Sequence, residues 1–343
     1  MPEHFEIHSE PDQLIREFFN NRSYSQIAVL TDTNTAAVCY PSLKSALPPH
    51  KLIEIQPGEE AKNLETCVTI WQQLTDQQLD RHSIVLILGG GVLGDMGGFC
   101  AATYKRGIDF VLMPTTLLAQ VDASIGGKLG IDFNHFKNHI GVFQAPLTTL
   151  ISPAFLKTLP DRELRSGFAE IIKHCLISDG QMWDTIRAKS LAEQDWNKLI
   201  PHSVNFKSAV ITEDPKEKGL RKILNFGHSI GHAVEGHFLN SGHRLFHGEA
   251  IAIGMITESF IAEKKDLIKR QELDQICEYI LKIFGKVSSV SDDRAILNII
   301  YQDKKNKGNK ILMALTKGIG QAVWDVEVSE EEIRESLAYY RSL

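Results

Sequence analysis

Residues 82–99 have the sequence HSIVLILGGGVLGDMGGF, in which an apolar run leads directly into three consecutive glycines. The run is continuous and rich in Ile, Val and Leu, which is typical of a strand buried on both faces of a sheet. Gly89, Gly91 and Gly94 then satisfy the spacing G-x-G-x-x-G where a helix is predicted to begin. Such a turn lets the backbone approach a pyrophosphate. A nucleotide-binding turn is therefore predicted, with a plain tight turn as the alternative.

The first half of the chain repeats this alternation of strands and helices. Four more apolar runs are predicted strands, at residues 25–32, 51–56, 109–116 and 148–152. Residues 61–78 have helical periodicity. Strands alternating with helices predict an α/β domain with a mostly parallel sheet, whose ligands bind beyond the carboxyl ends of the strands. We place this domain at residues 1–159, because Pro160 then interrupts the pattern.

The remainder, residues 160–343, is predicted to form a mainly α-helical domain. Apolar residues recur at helical spacing in five segments, residues 162–177, 194–211, 221–239, 248–265 and 271–285. A small strand pair is predicted at residues 310–316 and 321–328. Ser329, followed by three glutamates, predicts the cap of a closing helix.

Composition and charge exclude several classes of protein. The 343 residues suffice for two domains with separate cores. A net charge of -6 disfavours general nucleic-acid and membrane-surface binding, and no apolar run approaches the roughly 20 residues that span a bilayer. The five cysteines are scattered without a CxxC pair, which disfavours a disulfide framework. Since the polar amino terminus does not match a signal peptide, we expect a cytoplasmic protein.

The region after the glycine turn departs from the standard dinucleotide pattern. That pattern places an acid about 20 residues further on, at the end of the next strand, but here the region holds Tyr104, Lys105 and Arg106. Ribose contacts are therefore expected from other strand ends. The candidates there are Asp32, Asn34, Glu59 and Lys62.

A possible metal site is visible in the helical half. His228 and His232 stand four residues apart and share one helical face, and His247 begins the next predicted helix. With Glu170, two imidazoles would leave a divalent metal an open position, which is the catalytic type of zinc site. HExxH zincins use the same histidine spacing, but Ser229 stands where their glutamate would be. Histidines that only cap helices or pack are the alternative.

Several cations occupy predicted loops and helix starts, which is unusual in an acidic chain. They are Arg106, Lys128, Lys137, Lys173, Lys207, Arg221 and Lys304. Arginine recognises phosphate with two hydrogen bonds, and lysine supplies a compact positive charge. Any single lysine is more often a surface charge. The glycine-rich residues 121–141 contain two of these lysines together with Asp122 and Asn138.

Taken together, the motifs resemble the 3-dehydroquinate synthase family. In chain order they are GGGVLGDMGGF, AATYKRGI, PTTLLAQVDASIGGKLGID, KNHIGVFQAP, LKTLP, GFAEIIKH, LRKILNFGHSIGHAVE and HGEAIAIGM. They follow the order of the family and extend over roughly residues 55 to 255. The glycine turn alone is a weak signal, whereas the set is highly specific.

The resemblance implies a fold and a reaction. It implies an NAD-binding α/β domain, a helical domain that binds metal and substrate, an active site in the cleft between them, and a homodimer. The implied substrate is a small sugar phosphate, 3-deoxy-D-arabino-heptulosonate 7-phosphate, which becomes 3-dehydroquinate and phosphate in the shikimate pathway. NAD oxidises the carbon 5 hydroxyl and phosphate leaves. NADH then returns its hydride, the ring opens, and an intramolecular aldol reaction closes the carbocycle.

The resemblance also implies roles for individual residues. The ligands of a zinc or cobalt ion are Glu170, His228 and His247. The NAD contacts are Asp32, Asn34, Glu59, Lys62, Gly90, Gly91, Val92, Leu93, Gly94, Asp95, Thr115, Thr116, Lys128, Lys137, Phe155, Leu156, Lys157 and Thr158. The phosphate contacts are Lys128, Asn138, Arg221 and Lys304 (or Lys305), with Arg106 from the partner subunit or a neighbouring loop. The carboxylate and hydroxyl contacts are Asp122, Lys173, Lys207, Asn225 and His232. The substrate's own phosphate can take the proton during elimination, so no protein base is required.

Three other functions compete with this one. A related cyclase could act on sedoheptulose 7-phosphate or form 2-deoxy-inosose, but the cations and donors at Lys173 and His232 suit a substrate with a carboxylate. A metal-dependent polyol dehydrogenase would accumulate NADH and would not need a phosphate cradle of Lys128, Asn138 and Arg221. A non-catalytic NAD-binding protein would bind no metal and turn over no substrate.

Overall fold

A computed structural model describes residues 4–20, 22–134, 136–239, 244–288, 290, 292–302 and 310–343. The chain divides into two compact units. Unit 1 consists of Met1–Leu164 and Trp196–Ser208, and unit 2 of Arg165–Asp195 and Ala209–Leu343. None of the helices in the described residues has the length and apolar character needed to cross a membrane.

Unit 1 is built on a parallel sheet. Its elements are β1 (Phe5–Ile7), α1 (Pro11–Asn20), β2 (Ile27–Asp32), α2 (Thr33–Val38), β3 (Lys51–Ile55), α3 (Leu64–Asp76), β4 (Ile84–Gly89), α4 (Gly91–Thr103), β5 (Asp109–Pro114), β6 (Lys128–Phe133), β7 (Phe136–Phe143) and β8 (Thr149–Ile151). Six strands lie in the order β1-β8-β5-β4-β2-β3, and each neighbouring pair is parallel. The predicted α/β fold with a mostly parallel sheet is confirmed.

The central strand β4 is buried along its whole length. Val85 and Ile87 belong to the core that includes α3 and α4, whereas Leu86 and Leu88 belong to the opposite core with α1. Because successive side chains of a strand point to opposite faces, one continuous apolar run supplies both cores.

The pair of strands β6 and β7 was not predicted from the sequence. Strands β6 and β7 pair antiparallel. A Cβ atom added at Gly141 would lie 2.2 Å from the Leu129 carbonyl oxygen, and one added at Gly98 of α4 would lie 2.5 Å from the Leu129 side chain. Glycine at these two positions therefore permits the close approach of the strands to each other and of β6 to α4.

Unit 2 is mainly helical, as predicted. The elements that follow β8 are α5 (Asp161–Ser178), α6 (Gly180–Arg187), α7 (Trp196–Glu213), α8 (His228–Phe238), α9 (His247–Lys264), α10 (Arg270–Phe284), α11 (Asp293–Gln302), β9 (Ile311–Thr316), β10 (Ala322–Val328) and α12 (Glu330–Ser342). Helices α5 and α7 contain residues of both units. The predicted strand pair is present as β9 and β10, and Ser329 caps α12.

The single helix predicted for residues 221–239 is wrong. A short 3-10 helix covers Leu220–Asn225, and α8 begins only at His228. Between them Gly227 has a φ of 77°, which glycine adopts without strain. Helix α9 passes so close that a Cβ atom at Gly254 would lie 1.9 Å from the Gly227 carbonyl oxygen. The break thus lets the start of α8 pack directly against α9.

Candidate functional site

The glycine-rich turn lies at the carboxyl edge of the sheet. Strand β4 ends at Gly89, Gly90 is the N-cap residue, and α4 begins at Gly91. Among the described residues no side chain caps this helix end, so its amide groups can bind an anion. A small pocket adjoins the turn. Its lining includes Gly89, Gly90, Gly91, Gly94, Asp95 and Lys128.

The glycines of the turn serve different purposes. A Cβ atom at Gly90 would lie 3.0 Å from the Thr116 side chain, and one at Gly91 would lie 3.1 Å from its nearest neighbour. At Gly94 the nearest atom would be 4.0 Å away, so packing within the protein does not require this glycine. Leu93 is buried in the core, so a ligand at the turn could meet only its main chain.

Lys62 joins two residues that were predicted to contact different ligands. Its Nζ atom donates to Asp95 Oδ2 and to Asn138 Oδ1, both at 2.6 Å, and its side chain is 5% exposed. Burial raises the pKa of Asp95 above its ordinary value, although Lys62 acts in the opposite direction. Lys62 therefore holds α4 and β7 together through a buried charged network.

The other predicted ribose contacts lie at the end of β2 or in the segments that follow β2 and β3. Asp32 is the last residue of β2, and its Oδ1 atom accepts hydrogen bonds from the main chain and hydroxyl of Thr35 at 2.8 and 3.1 Å. Asn34 is exposed in α2. Glu59 lies 3.7 Å from Lys137 Nζ. All four candidate side chains are in unit 1.

Two further segments contain predicted NAD contacts. Thr115 follows β5 and is buried, and its amide donates to the Gly89 carbonyl at 3.0 Å. In the 3-10 helix Pro153–Thr158, the side chains of Phe155 and Leu156 are buried, whereas the last two residues are exposed. The buried pair can present only main-chain atoms to a ligand.

Three predicted substrate residues of unit 1 have distinctive surroundings. Lys207 Nζ contacts Asp122 Oδ1 at 2.6 Å and donates to the Asp122 carbonyl at 2.8 Å. Arg106 is exposed in a turn where Lys105, Arg106 and Gly107 all have left-handed backbones, with φ values of 49°, 71° and 106°. Consecutive left-handed residues are costly unless the surrounding structure holds them, and such strain clusters at functional sites.

The predicted metal ligands come together in unit 2. Glu170 of α5 is fully buried, and its Oε1 atom lies 3.5 Å from His228 Nε2 and 3.3 Å from His247 Nε2. One ligand atom from each residue lies within 4.8 Å of the other two. His228 Nδ1 lies 3.0 Å from the Phe226 carbonyl and His247 Nδ1 lies 3.2 Å from Glu235 Oε2. Both imidazoles therefore turn Nε2 toward Glu170.

Charged neighbours set the protonation of the three residues in this cluster. Burial alone would raise the pKa of Glu170, but its ion pair with Lys173 and its contact with His247 hold that pKa well below its ordinary value. Burial lowers the pKa of His228 well below its ordinary value, as does Lys173. Burial also acts to lower the pKa of His247, but Glu170 and Glu235 raise it to about 9. A metal would bind His228 as it stands and would displace a proton from His247.

The remaining predicted substrate residues of unit 2 lie on and beside α8. The His232 ring centroid is 4.9 Å from that of His228. Arg221 is buried and donates to the Pro215 carbonyl at 3.0 Å. Asn225 Nδ2 donates to Glu217 Oε1 at 2.7 Å. Lys304, and the alternative Lys305, lie outside the described residues.

Sequence reasoning missed three glutamates at this site. Glu217 accepts from Asn225, as described above. Glu235 lies seven residues after His228, and that spacing could have revealed it as a third group on the same helical face. Glu258 of α9 is fully buried and accepts from the amides of Gly227 and Ile230 at 2.5 and 3.0 Å. It caps α8 from another helix, and no local signal indicates such a role.

Comparison with known families agrees with this geometry. Residues 52–166 match the sequence model of the 3-dehydroquinate synthase N-terminal domain, and residues 167–306 match that of the C-terminal domain. The chain belongs to the 3-dehydroquinate synthase family. The resemblance drawn from the motifs is thereby confirmed, and the chain is an enzyme of this family.

Individual relatives support the same conclusion. The 3-dehydroquinate synthase of Parabacteroides distasonis is 36% identical over 333 residues, which cover 95% of this chain and 94% of that protein. That of Ruminiclostridium cellulolyticum is 43% identical over 285 residues, which cover 81% of this chain and 78% of that protein.

Solved structures show the same fold. One is 2-epi-5-epi-valiolone synthase from Streptomyces hygroscopicus subsp. jinggangensis 5008 with NAD+ and Zn2+ bound; its TM-score is 0.88 at 27% identity, covering 100% of this chain and 97% of that one. Another is 2-deoxy-scyllo-inosose synthase complexed with carbaglucose-6-phosphate, NAD+ and Co2+; its TM-score is 0.86 at 24% identity, covering 98% and 96%.

Proposed function

We propose that the chain converts 3-deoxy-D-arabino-heptulosonate 7-phosphate into 3-dehydroquinate and phosphate. The observation that carries the proposal is the buried cluster of Glu170, His228 and His247, which occurs in a chain whose relatives are named for this reaction. The reaction belongs to the biosynthesis of aromatic amino acids, and the chain would act in it as a carbon–oxygen lyase.

The cluster fits a divalent metal. Its donors are one carboxylate and two imidazoles, which is a common ligand set of catalytic zinc. The relative from Streptomyces hygroscopicus contains Zn2+. Glu170, His228 and His247 would hold the ion, and the nearby Lys173 would be released from Glu170 to meet the substrate carboxylate. A metal at such a site polarises a bound hydroxyl as a Lewis acid.

The glycine turn fits NAD. The uncapped start of α4 offers amide groups to a pyrophosphate, and Gly94 leaves space for it. Asp95 and Lys62 stand beside the turn as candidates for the ribose hydroxyls. The cofactor supplies reversible hydride transfer, which is why the overall reaction would show no net change in NAD.

The substrate's phosphate and carboxylate call for cations and amide donors. For the phosphate we assign Lys128, Asn138 and Arg221, the residues that the family resemblance implies. Because Asn138 Oδ1 accepts from Lys62, the side-chain amide of Asn138 turns its Nδ2 atom away from Lys62, where it can donate to an anion. The roles predicted for Arg106 and Lys304 stay predictions.

The remaining polar groups of the substrate are assigned to five side chains. They are Asp122, Lys173, Lys207, Asn225 and His232. Asp122 and Lys207 are already joined, so each fixes the direction of the other. Glu217 does the same for Asn225. With the substrate's own phosphate as proton acceptor, these residues need only bind and orient.

The proposal is tested by measuring phosphate release from the heptulosonate phosphate. Full turnover is expected with NAD and zinc, and little or none after a chelator has removed the metal or when NAD is omitted. Sedoheptulose 7-phosphate and glucose 6-phosphate serve as matched substrates without the carboxylate. Faster release from either of these would replace the proposed substrate with that of a related cyclase. Net NADH accumulation would instead indicate a dehydrogenase.

The homodimer is proposed on a separate observation. Strand β7 and the segment that follows it expose large apolar side chains: Phe136 is 63% exposed, Phe143 84% and Leu147, four residues after the strand, 45%. Exposed apolar groups of this kind mark interaction surfaces. Mass measurement in solution should give a dimer, and Phe143→Lys should shift it toward monomer. Residues 1–159 and 160–343 as functional domains, and a cytoplasmic location, stay predictions.

A further inference from the structure

Helix α8 presents a third titratable group beside its two histidines. His228, His232 and Glu235 are spaced i, i+4 and i+7, which places them on one face. Glu235 reaches across to α9, where its Oε2 atom lies 3.2 Å from His247 Nδ1. The same imidazole has Nε2 3.3 Å from Glu170. His247 therefore lies between two carboxylates, one on each ring nitrogen.

The two imidazoles of the cluster are oriented by different partners. His228 Nδ1 contacts a neutral carbonyl two residues earlier in its own chain segment. That contact is local, and the start of α8 is itself fixed by Glu258. His247 is the first residue of α9, and its Nδ1 atom contacts Glu235, a side chain of another helix. The orientation of His247 thus depends on a side chain of another helix, whereas the orientation of His228 depends on a nearby main-chain carbonyl.

We propose that Glu235 is a positioning residue that holds His247 in the tautomer and orientation that present Nε2 to the metal. The inference rests on the proposed metal centre. A proton on Nδ1 that is donated to Glu235 leaves the Nε2 lone pair directed at the ion, and the carboxylate strengthens the imidazole as a ligand. Glu235 would act through His247 and would not touch the substrate.

A second cation is the alternative use of Glu235. One ligand atom each from His232, Glu235 and His247 also lies within 4.8 Å of the others. Binding there would occupy His247 Nδ1 and compete with the hydrogen bond to Glu235. The two interpretations differ in stoichiometry: the positioning role predicts one zinc per chain, whereas the second site predicts two.

The test compares Glu235→Ala and Glu235→Gln with the wild-type chain, and uses Glu278→Gln as the matched control. Glu278 is exposed on α10, so its substitution removes the same charge away from the cluster. Zinc affinity is measured by competition with a chromophoric chelator. Loss of such an orienting group typically weakens metal binding about 10- to 100-fold, and we expect this for Glu235→Ala. Glu235→Gln should lose less zinc affinity, because the glutamine side-chain oxygen can still accept a hydrogen bond from His247 Nδ1.

Two further readouts separate positioning from general structural support. The far-ultraviolet circular dichroism of the metal-free protein should be the same for all four proteins, since Glu235 is not part of the hydrophobic core. The visible spectrum of the cobalt-loaded protein should change in Glu235→Ala but not in Glu278→Gln. Excess zinc should restore phosphate release in Glu235→Ala.

The outcomes distinguish this inference from the proposed function. A wild-type chain that binds one zinc and a Glu235→Ala chain that binds it equally well, with an unchanged cobalt spectrum, would overturn the positioning role alone. Two zinc ions in the wild type and one in Glu235→Ala would replace it with the second site. A wild-type chain that binds no zinc would overturn the metal centre and the role of Glu235 together.

Discussion

Units 1 and 2 each bury a charged side chain among the candidate site residues, and the two charges are compensated differently. In unit 1 the cation Lys62 already has Asp95 and Asn138 as partners at 2.6 Å. In unit 2 the anion Glu170 is paired with Lys173 and also faces two imidazole Nε2 atoms at 3.3 and 3.5 Å. In the first cluster the buried cation has two hydrogen-bond partners, whereas the second cluster places three possible metal-ligand atoms close together.

This difference predicts how the stability of the fold responds to substitutions in the two clusters. Removing a partner from the Lys62 network leaves an uncompensated buried charge, which weakens folding. Removing an imidazole from the Glu170 cluster leaves Lys173 to neutralise the carboxylate, so folding is preserved and ligation is lost. Substitution of Lys62 should therefore lower stability, whereas substitution of an imidazole should lower activity without lowering stability.

The largest effect is expected for His247→Ala. Loss of one of three protein ligands should reduce phosphate release by at least about 1,000-fold, equivalent to several kcal/mol of transition-state stabilisation. Zinc content should fall while the far-ultraviolet circular dichroism is unchanged. His237→Ala, on the same helix α8 but outside the cluster, is the control and should stay active. A fully active His247→Ala protein would remove the metal assignment.

The Lys62→Met substitution should lower the stability of the fold, in addition to removing a proposed ribose contact. Breaking a buried pair costs about 3–5 kcal/mol, and the partial exposure of Asp95 (23%) places the expected loss near the lower end. Chemical denaturation measures it. The double variant Lys62→Met/Asp95→Asn should recover most of the loss, because no uncompensated charge remains.

An exposed ion pair provides the control for Lys62. Lys222 Nζ contacts Asp325 Oδ2 at the same distance of 2.6 Å, but Asp325 is 44% exposed. Lys222→Met should therefore cost at most about 1 kcal/mol. Equal losses for the two lysine variants would contradict the view that burial, and not distance, makes the Lys62 network important.

The strands of unit 1 and the histidine pair of unit 2 could be predicted from the sequence, because both follow from local spacing. Continuous apolar runs define parallel strands, and the four-residue spacing of His228 and His232 defines a helical face. The partners of Lys62 could not be predicted, since Asp95 and Asn138 are 33 and 76 residues away. The pair of strands β6 and β7 was missed because β7 lacks a period-2 alternation of polar and apolar residues.

Glu258→Gln should have an intermediate effect. The carboxylate accepts two main-chain amides at the start of α8, and glutamine would turn an amide donor toward one of them. Charge-assisted hydrogen bonds of this kind contribute about 1.5–3 kcal/mol, so a loss of about 2 kcal/mol is expected in urea unfolding. Zinc affinity should fall as well, because His228 is the first residue of α8. Ser329→Ala, which uncaps α12, should cost about 1 kcal/mol without changing zinc affinity.

Glu258 also explains why the helix predicted for residues 221–239 was wrong. The apolar spacing continues through Gly227, and nothing in the local sequence signals a break there. The cap that makes a new helix start at His228 is supplied from α9, 31 residues beyond Gly227. Local periodicity cannot reveal a cap that comes from another helix, so this part of the site was accessible only from the structure.

The smallest effect on stability, and one of opposite sign, is expected for Gly94→Ala. Its Cβ atom would meet nothing closer than 4.0 Å, and alanine is favoured over glycine inside a helix by about 0.5–1 kcal/mol. The free energy of unfolding should therefore rise slightly while NAD affinity, measured by calorimetry, falls. Gly98→Ala is the matched control: its Cβ atom would lie 2.5 Å from Leu129, so it should destabilise the protein by about 1–3 kcal/mol. Unchanged NAD affinity in Gly94→Ala would show that this glycine is not kept open for the cofactor.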